Sequence, residues 1–393
     1  MKINKWTLGL SAVGLVSLAS VAQAVDEKPV PLMTALSSTT ISGYVDVSAV
    51  WNPGTGNANP PPVAYNAGKQ DGFNLNVVNL TLEKPLDEGQ WSAGYKAELL
   101  FGPDAVGYND AANGDTSEVG FSIKQAYVAL RAPVGNGLDF KVGVFDSIIG
   151  YESFVGYRNP NYTRSYGYTI NPTEHTGVLA SYQINDMFSV SSGVANTISG
   201  NFGGSRAPSI NARSTRAESA KTYMASITVT LPESTGALAG SSFYAGIVDG
   251  FGTKAEDQTS LYAGMTIATP LAGMKFGAAY HQANHLGGAP FGATGSRHAD
   301  ALALYASFQA TEKFSIHARG EYAKADPLFG GHARVLALTG TLQYDLWENV
   351  ISRLEVRWDH SASGNKLFGA NDAFGNPTKK NDVMIAANLI YKF

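Results

Sequence analysis

The sequence predicts an all-β fold: a single closed antiparallel barrel that crosses a membrane with strands. Three observations predict it. The chain opens with an export leader, most of the remainder alternates apolar and polar residues with period 2, and the connections alternate between long and short. Composition agrees. Of 393 residues only 15% are charged, whereas Gly (43), Tyr (19) and Phe (18) are plentiful. An ordinary soluble chain carries about 25% charge. The balance of 28 basic against 32 acidic residues, a formal charge of -4, excludes the concentrated basic face that a nucleic-acid binder needs. Cysteine is absent, which excludes disulfides, Cys-ligated zinc, iron–sulfur clusters and thiol nucleophiles. A mean hydropathy of -0.08 excludes a helical membrane bundle.

Residues 1–24 read as a secretory signal. Lys2 and Lys5 supply the positive end, an apolar run extends from Leu8 to Val21, and Ala22-Gln23-Ala24 forms a small-x-small cleavage site. The run is short and broken by Ser11, Ser17 and Ser20, so it suits a cleaved leader better than an anchor. Losing two lysines and no acid would take the formal charge from -4 to about -6. No Cys follows the run to carry a lipid, and no later stretch is apolar and long enough for a spanning helix. Residues 25–39 are expected to be a short periplasmic segment, with the barrel over 40–393.

The strands follow from their faces. In Asp382–Phe393, the side chains of Val383, Ile385, Ala387, Leu389, Tyr391 and Phe393 share one side; Asp382, Met384, Ala386, Asn388, Ile390 and Lys392 share the other. Trp91, Ala93, Tyr95, Ala97, Leu99 and Phe101 alternate with Ser92, Gly94, Lys96, Glu98 and Leu100. Leu354, Val356 and Trp358 oppose Arg353, Glu355, Arg357 and Asp359. Phe314, Ile316, Ala318, Gly320 and Tyr322 oppose Ser315, His317, Arg319 and Glu321. About sixteen such segments are expected, each near the length of a tilted membrane-spanning strand. They start near Thr40, Phe73, Gln90, Val119, Leu138, Thr173, Met187, Ala220, Ser241, Ser260, Gly273, His298, Lys313, Ala333, Asn349 and Asn381. The fifth and ninth are short, and the fourth has ambiguous faces.

Between them, Asn52–Gly72, Gly102–Glu118, Ser147–Pro172, Thr197–Ser219, Gln282–Arg297 and Ser361–Lys380 are long. Pro85–Gly89, Pro133–Gly137, Asn185-Asp186, Pro270–Ala272, Thr311-Glu312 and Leu346–Glu348 are short. Leu231–Gly240 and Gly250–Thr259 depart modestly from the rhythm. A barrel threaded through a membrane has this asymmetry, with short turns on the periplasmic side. Lipid cannot satisfy backbone N–H and C=O groups, so strands can cross it only as a closed ring.

The chain ends in Leu389-x-Tyr391-x-Phe393, which resembles the assembly signal of Gram-negative outer-membrane barrels. Gln125-Ala126-Tyr127-Val128, and Val142-Gly143-Val144-Phe145 running into Gly150-Tyr151-Glu152, are similar to the OmpL-like beta-barrel porin family. The acidic constriction-loop signature of trimeric general porins is not recognisable. The resemblance implies an outer-membrane location, and contact with outer-membrane lipid, lipopolysaccharide and the barrel-assembly machinery. It leaves a homo-oligomer open.

In general porins the loop at the place of Ser147–Pro172 folds into the lumen. Here it holds Tyr151, Phe154, Tyr157, Tyr162, Tyr166 and Tyr168 with Glu152, Arg158 and Arg164. Aromatics would pack it against the wall, and the charges would set the field that solutes feel. A surface loop or a membrane girdle is the competing reading. Lys96, Glu98, Lys275, His317, Arg319, Glu321, Arg353, Glu355, Arg357 and Asp359 are assigned to the lumen, because Arg facing lipid at the midplane costs roughly 2–4 kcal/mol. Most are expected to pair across neighbouring strands, with some left to tune selectivity.

Catalytic and metal motifs are weak. His281 and His285 are four apart where a strand becomes a loop, a spacing that shares a face only on a helix. Asp110–Asp115 resembles a calcium-loop fragment but lacks the alternate acids and the closing Glu. No Gly-x-Ser-x-Gly elbow or phosphate-binding Gly loop occurs in the mature region, and no serine can be matched to His360. Asn79-Leu80-Thr81 and Asn161-Tyr162-Thr163 match glycan sequons by chance spacing. The expected function is passive diffusion of small hydrophilic solutes and ions, with no cofactor, metal or enzymatic step. The alternative is a non-transporting barrel that acts as an adhesin or scaffold.

Overall fold

The computed structural model describes residues 38–54, 58–61, 69–89, 91–105, 120–198, 210–252, 257–284, 298–328 and 331–393. The leader, most of 25–39, His285 and the Asp110–Asp115 segment lie outside them.

Sixteen strands close into one ring: β1 (Thr40–Trp51), β2 (Gly72–Lys84), β3 (Ser92–Phe101), β4 (Phe121–Ala132), β5 (Leu138–Asp146), β6 (Glu174–Gln183), β7 (Phe188–Ala195), β8 (Thr222–Thr230), β9 (Ser242–Phe251), β10 (Asp257–Ala268), β11 (Met274–Asn284), β12 (His298–Gln309), β13 (Phe314–Leu328), β14 (Gly331–Trp347), β15 (Val350–Ser361) and, after a two-stranded hairpin β16 (Phe368–Asn371) and β17 (Pro377–Lys379), β18 (Asn381–Lys392). Each expected strand start lies within three residues of an observed one. The largest shift is at β10, which begins earlier than its polar first residues imply. The small hairpin was not foreseen. It forms because Asp372 accepts the backbone N–H of Phe374 (2.8 Å) and Asn376 (2.9 Å), folding a tight turn inside the last long connection.

Every ladder is antiparallel between chain neighbours, and β1 pairs β18 to complete the ring. Closure is finished by reciprocal backbone bonds. Gly43 N–H donates to the Phe393 carbonyl at 2.9 Å, and Phe393 N–H donates to Gly43 at 3.0 Å. A closed ring leaves no unpaired edge, the condition for strands to sit in hydrocarbon.

The burial pattern is inverted relative to a soluble protein. On β14, outward Leu336, Leu338 and Leu342 are exposed, whereas inward Thr339 and Thr341 are buried. On β15, outward Leu354 and Val356 are exposed while inward Arg353, Glu355, Arg357 and Asp359 are buried. Alternation puts these sets on opposite sides of the wall. Outside, the apolar band suits acyl chains. Inside, the polar residues meet one another and a loop.

Candidate functional site

The connection between β5 and β6 builds the site. It contains a 3-10 turn (Gly156–Arg158) and one short helix, α1 (Tyr166–Ile170). Its shape is held from within. The Arg164 guanidinium donates to three carbonyls of its own loop: Ser153 (2.7 Å), Tyr162 (2.7 Å) and Phe154 (2.8 Å). Asn159 donates to the carbonyls of Ser153 (2.8 Å) and Val155 (2.9 Å) and accepts the Ser153 N–H (2.8 Å). Ser165 caps α1 by accepting the Tyr168 N–H.

This loop crosses to the far wall. In the ring, β13 stands eight strands from β5, directly opposite. The wall is shaped to receive it. The inward residues Ala283, Ala299, Ala301, Ala323, Ala325, Ala333 and Ala337 are small, and Tyr166 and Ile170 pack on them together with Leu367 and Phe368 from the hairpin. Further round, Tyr151 stacks on Tyr305 with centroids 4.2 Å apart. Gly277 makes room there, since a Cβ at that position would stand 2.7 Å from the Tyr151 ring. Phe154 and Val155 pack against Tyr44, Val77, Ile351 and Ile390.

A polar network then fixes the loop in register. Arg319 of β13 donates to Glu152 (2.8 Å), to its strand neighbour Glu321 (2.7 Å) and to the Thr163 carbonyl (2.8 Å). Arg357 of β15 pairs with Glu321 (3.1 Å) and Asp359 (2.8 Å). Glu355 accepts the backbone N–H of Tyr162 (2.6 Å) and Thr163 (2.9 Å), and hydroxyls of Thr163 (2.6 Å) and Thr341 (2.7 Å). Arg353 donates to the carbonyls of Gly156 (3.0 Å) and Asn159 (2.8 Å). The Tyr166 hydroxyl donates to Asp359 at 2.8 Å. Burial, and then the neighbouring Asp359 carboxylate, hold that phenol well above its ordinary pKa, so it stays a donor. Because these charges are shielded, removing any one leaves its partner costly, by about 3–5 kcal/mol.

On the near side the loop leaves a gap. A cavity of about 290 Å³ runs between the loop and the inward faces of β2–β6. It extends from the short-turn end, at Glu83, Pro85, Arg131 and Asp139, to the loop at Ile148, Glu152, Phe154 and Arg158. Lys96, Tyr127, Lys141 and Asp146 line its middle. Arg131 is held by Asp139 through paired 2.6 Å hydrogen bonds. Lys96 lies 3.6 Å from Glu83 and 3.8 Å from Glu98. Behind them, buried Lys124 reaches Asp146 at 2.6 Å and Glu98 at 3.5 Å.

The structure thus brings the expected residues into two groups. Glu152, Tyr162, Arg164, Arg319, Glu321, Arg353, Glu355, Arg357 and Asp359 join in the loop-to-wall contact. Lys96, Glu98 and Arg158 belong to the near side. Tyr157 packs edge-on against Tyr44 at 5.2 Å. Lys275 stands apart at the start of β11, opposite Ser307. Leu389, Tyr391 and Phe393 line the outward face of the closing strand. Sequence reasoning passed over Lys124, Arg131, Asp139, Lys141 and Asp146. A register shift between β3 and β4 turns both Lys124 and Gln125 inward, which is why the faces of β4 are ambiguous in the sequence. On β5 a signal was there to be read: Asp139 and Lys141 alternate with Phe140 and Val142.

Among the described residues no group of three or more His, Asp or Glu is placed to hold a metal ion. His281 is buried against Tyr262, with ring centroids 4.9 Å apart. His360 stacks on Trp358, and its Nδ1–H donates to the Asn381 amide oxygen at 2.8 Å.

Comparison with known proteins agrees with this geometry. Among solved structures, the chain is similar to an OmpF of Salmonella typhi in complex with daunomycin (TM-score 0.59, 12% identity, covering 90% of this chain and 97% of that one). It is similar to an anion-selective porin from Comamonas acidovorans (TM-score 0.58, 12% identity, 91% and 99%). It is also similar to the outer membrane channel DcaP of Acinetobacter baumannii (TM-score 0.55, 13% identity, 90% and 97%). At these identities the likeness is one of fold. No protein of curated function matches the chain. A family model described as "Putative beta-barrel porin-2, OmpL-like" matches residues 38–393. With nearly the whole barrel matched and the sixteen-strand ring in place, the chain belongs to this OmpL-like family of outer-membrane porins.

Proposed function

We propose that the protein is a passive diffusion channel for small hydrophilic solutes and ions, with the loop 147–173 as its constriction. The observation that carries this reading is the cavity of about 290 Å³ beside the loop, whose lining includes the charged side chains of Glu83, Lys96, Arg131, Asp139 and Lys141. Sixteen strands enclose a lumen too wide for wall side chains alone to fill. The latched loop narrows it to one side, and the charged lining favours hydrated solutes over apolar ones. Nothing in the mechanism needs a chemical step. Sieving and electrostatics suffice.

The tightness of the far-side packing favours a second reading, a non-transporting scaffold. Single-channel recording in a planar bilayer separates them. Stable open steps from a folded sample support the channel; their absence supports the scaffold. One similar structure, an OmpT of Vibrio cholerae, is described as a trimer form. A homo-oligomer is accordingly part of the proposal, checked by the mass of the detergent-solubilised protein.

A further inference from the structure

We infer that the passage prefers anions, and that Lys141 and Arg158 set that preference. The inference rests on the channel reading above and names the class of solute it passes.

The argument is one of charge matching. Four carboxylates border the passage, and each stands within ion-pair reach of a cation. Glu83 lies 3.6 Å from Lys96, Asp139 2.6 Å from Arg131, Asp146 2.6 Å from Lys124 and Glu152 2.8 Å from Arg319. Two of those cations, Lys124 and Arg319, are sealed behind the lining. They neutralise the passage's acids without presenting their own charge to a solute.

Lys141 and Arg158 are different. Both line the cavity and both are partly exposed, yet among the described residues neither forms an ion pair. Each lies against a ring instead. Lys141 Nζ is 4.9 Å from the Tyr127 centroid, and the Arg158 guanidinium is 5.9 Å from that of Tyr157. A ring orients a cation but cancels none of its charge. The acids in their neighbourhood compensate them only in part. Asp146 and Glu83 are nearest in field to Lys141, and Glu98 and Asp146 to Arg158. Each of these is already committed to Lys96 or Lys124. Those three carboxylates share only two lysines and offset part of the unpaired charge. With Lys141, Arg158 and Lys84, which also lines the cavity without an ion pair among the described residues, the cations outnumber the acids, and a net positive charge is left facing one narrow gap. Low-dielectric walls focus such a field and raise the local concentration of the opposite ion.

The test is a reversal potential across a planar bilayer under a potassium chloride gradient. Folding is first verified by heat-modifiable migration in gels. The wild type is expected to pass chloride over potassium. Lys141→Gln and Arg158→Gln should each lower that ratio by roughly two- to fivefold, and the double reversal K141E/R158E should favour potassium. Lys313→Gln, in an exposed turn, should leave the ratio unchanged. Lys141 lies on the wall, so its variants test the idea even if Arg158 variants loosen the loop. Open steps with cation preference in the wild type, or a ratio unmoved by either Lys141 variant, would overturn the preference and leave the channel standing. No steps from folded protein would remove the channel, and the preference with it.

Discussion

Arg319 and Glu152 meet at 2.8 Å with neither side chain exposed, although one belongs to the far wall and the other to a loop that leaves the near wall. The contact spans the barrel. Placing two charges in so dry a site is costly unless all their valences are met. Here Glu321, Thr163 and the Ser165 N–H complete them. The pair thus ties the loop to the far wall.

Arg319→Met is therefore expected to cost about 3–5 kcal/mol, because Glu152 and Glu321 lose their shared cation. Urea unfolding of the barrel folded into vesicles measures the cost. Freed from the far wall, the loop should sample more of the lumen, so single-channel conductance should become larger or noisier. A variant with unaltered stability and conductance would contradict the latch.

Glu355 offers a finer probe. Its two oxygens accept from Tyr162, Thr163 and Thr341. Glu355→Gln keeps the volume but puts two donors where acceptors are needed. A loss of about 2 kcal/mol is expected, since hydrogen bonds to a charged group contribute roughly 1.5–3 kcal/mol each. The accompanying sign is more frequent brief closures in current recordings. Thr341→Val, which removes a hydroxyl that also receives Asn161, should show a weaker form of the same behaviour.

The two sides of the wall should answer oppositely to added charge. Leu338 faces outward and is 59% exposed. Leu338→Arg is expected to destabilise folding into bilayers by about 2–4 kcal/mol. Ser181 lines the passage. Ser181→Arg should barely change stability yet lower conductance. Equal stability losses for both would refute the assigned inside and outside.

Closure of the ring should be sensitive at Gly43. A Cβ there would collide with the Asn79 carbonyl and stand 2.7 Å from the Phe393 ring. Gly43→Val is expected to reduce the fraction that reaches the folded, heat-modifiable form at least as strongly as deletion of Phe393. The deletion removes the reciprocal backbone bonds at that seam together with the terminal aromatic.

Much of this architecture could be read from one dimension because alternation is a local property. A strand's two faces are set by successive residues, and lipid demands that one of them be apolar, so Val383, Ile385 and Leu389 declare their side without knowledge of any neighbour. The lumenal charges of β13 and β15 were visible for the same reason. Arg164 shows where residue type misleads. As a loop cation it looked set to tune the field, but its donors are taken up by the carbonyls of its own loop. Its neighbour Arg158, of the same type in the same loop, faces the passage.

Sequence alone determined the export leader as an expectation, the strand rhythm, the inward and outward sets, and the segment long enough to enter the lumen. The tertiary structure decided which charges cancel and which remain. That depends on register, on the offset that turns both Lys124 and Gln125 inward, and on a loop reaching the opposite wall. Pair energies fall off over a few ångströms, and residues that share those few ångströms, such as Glu152 and Arg319, are separated by 167 positions in the chain.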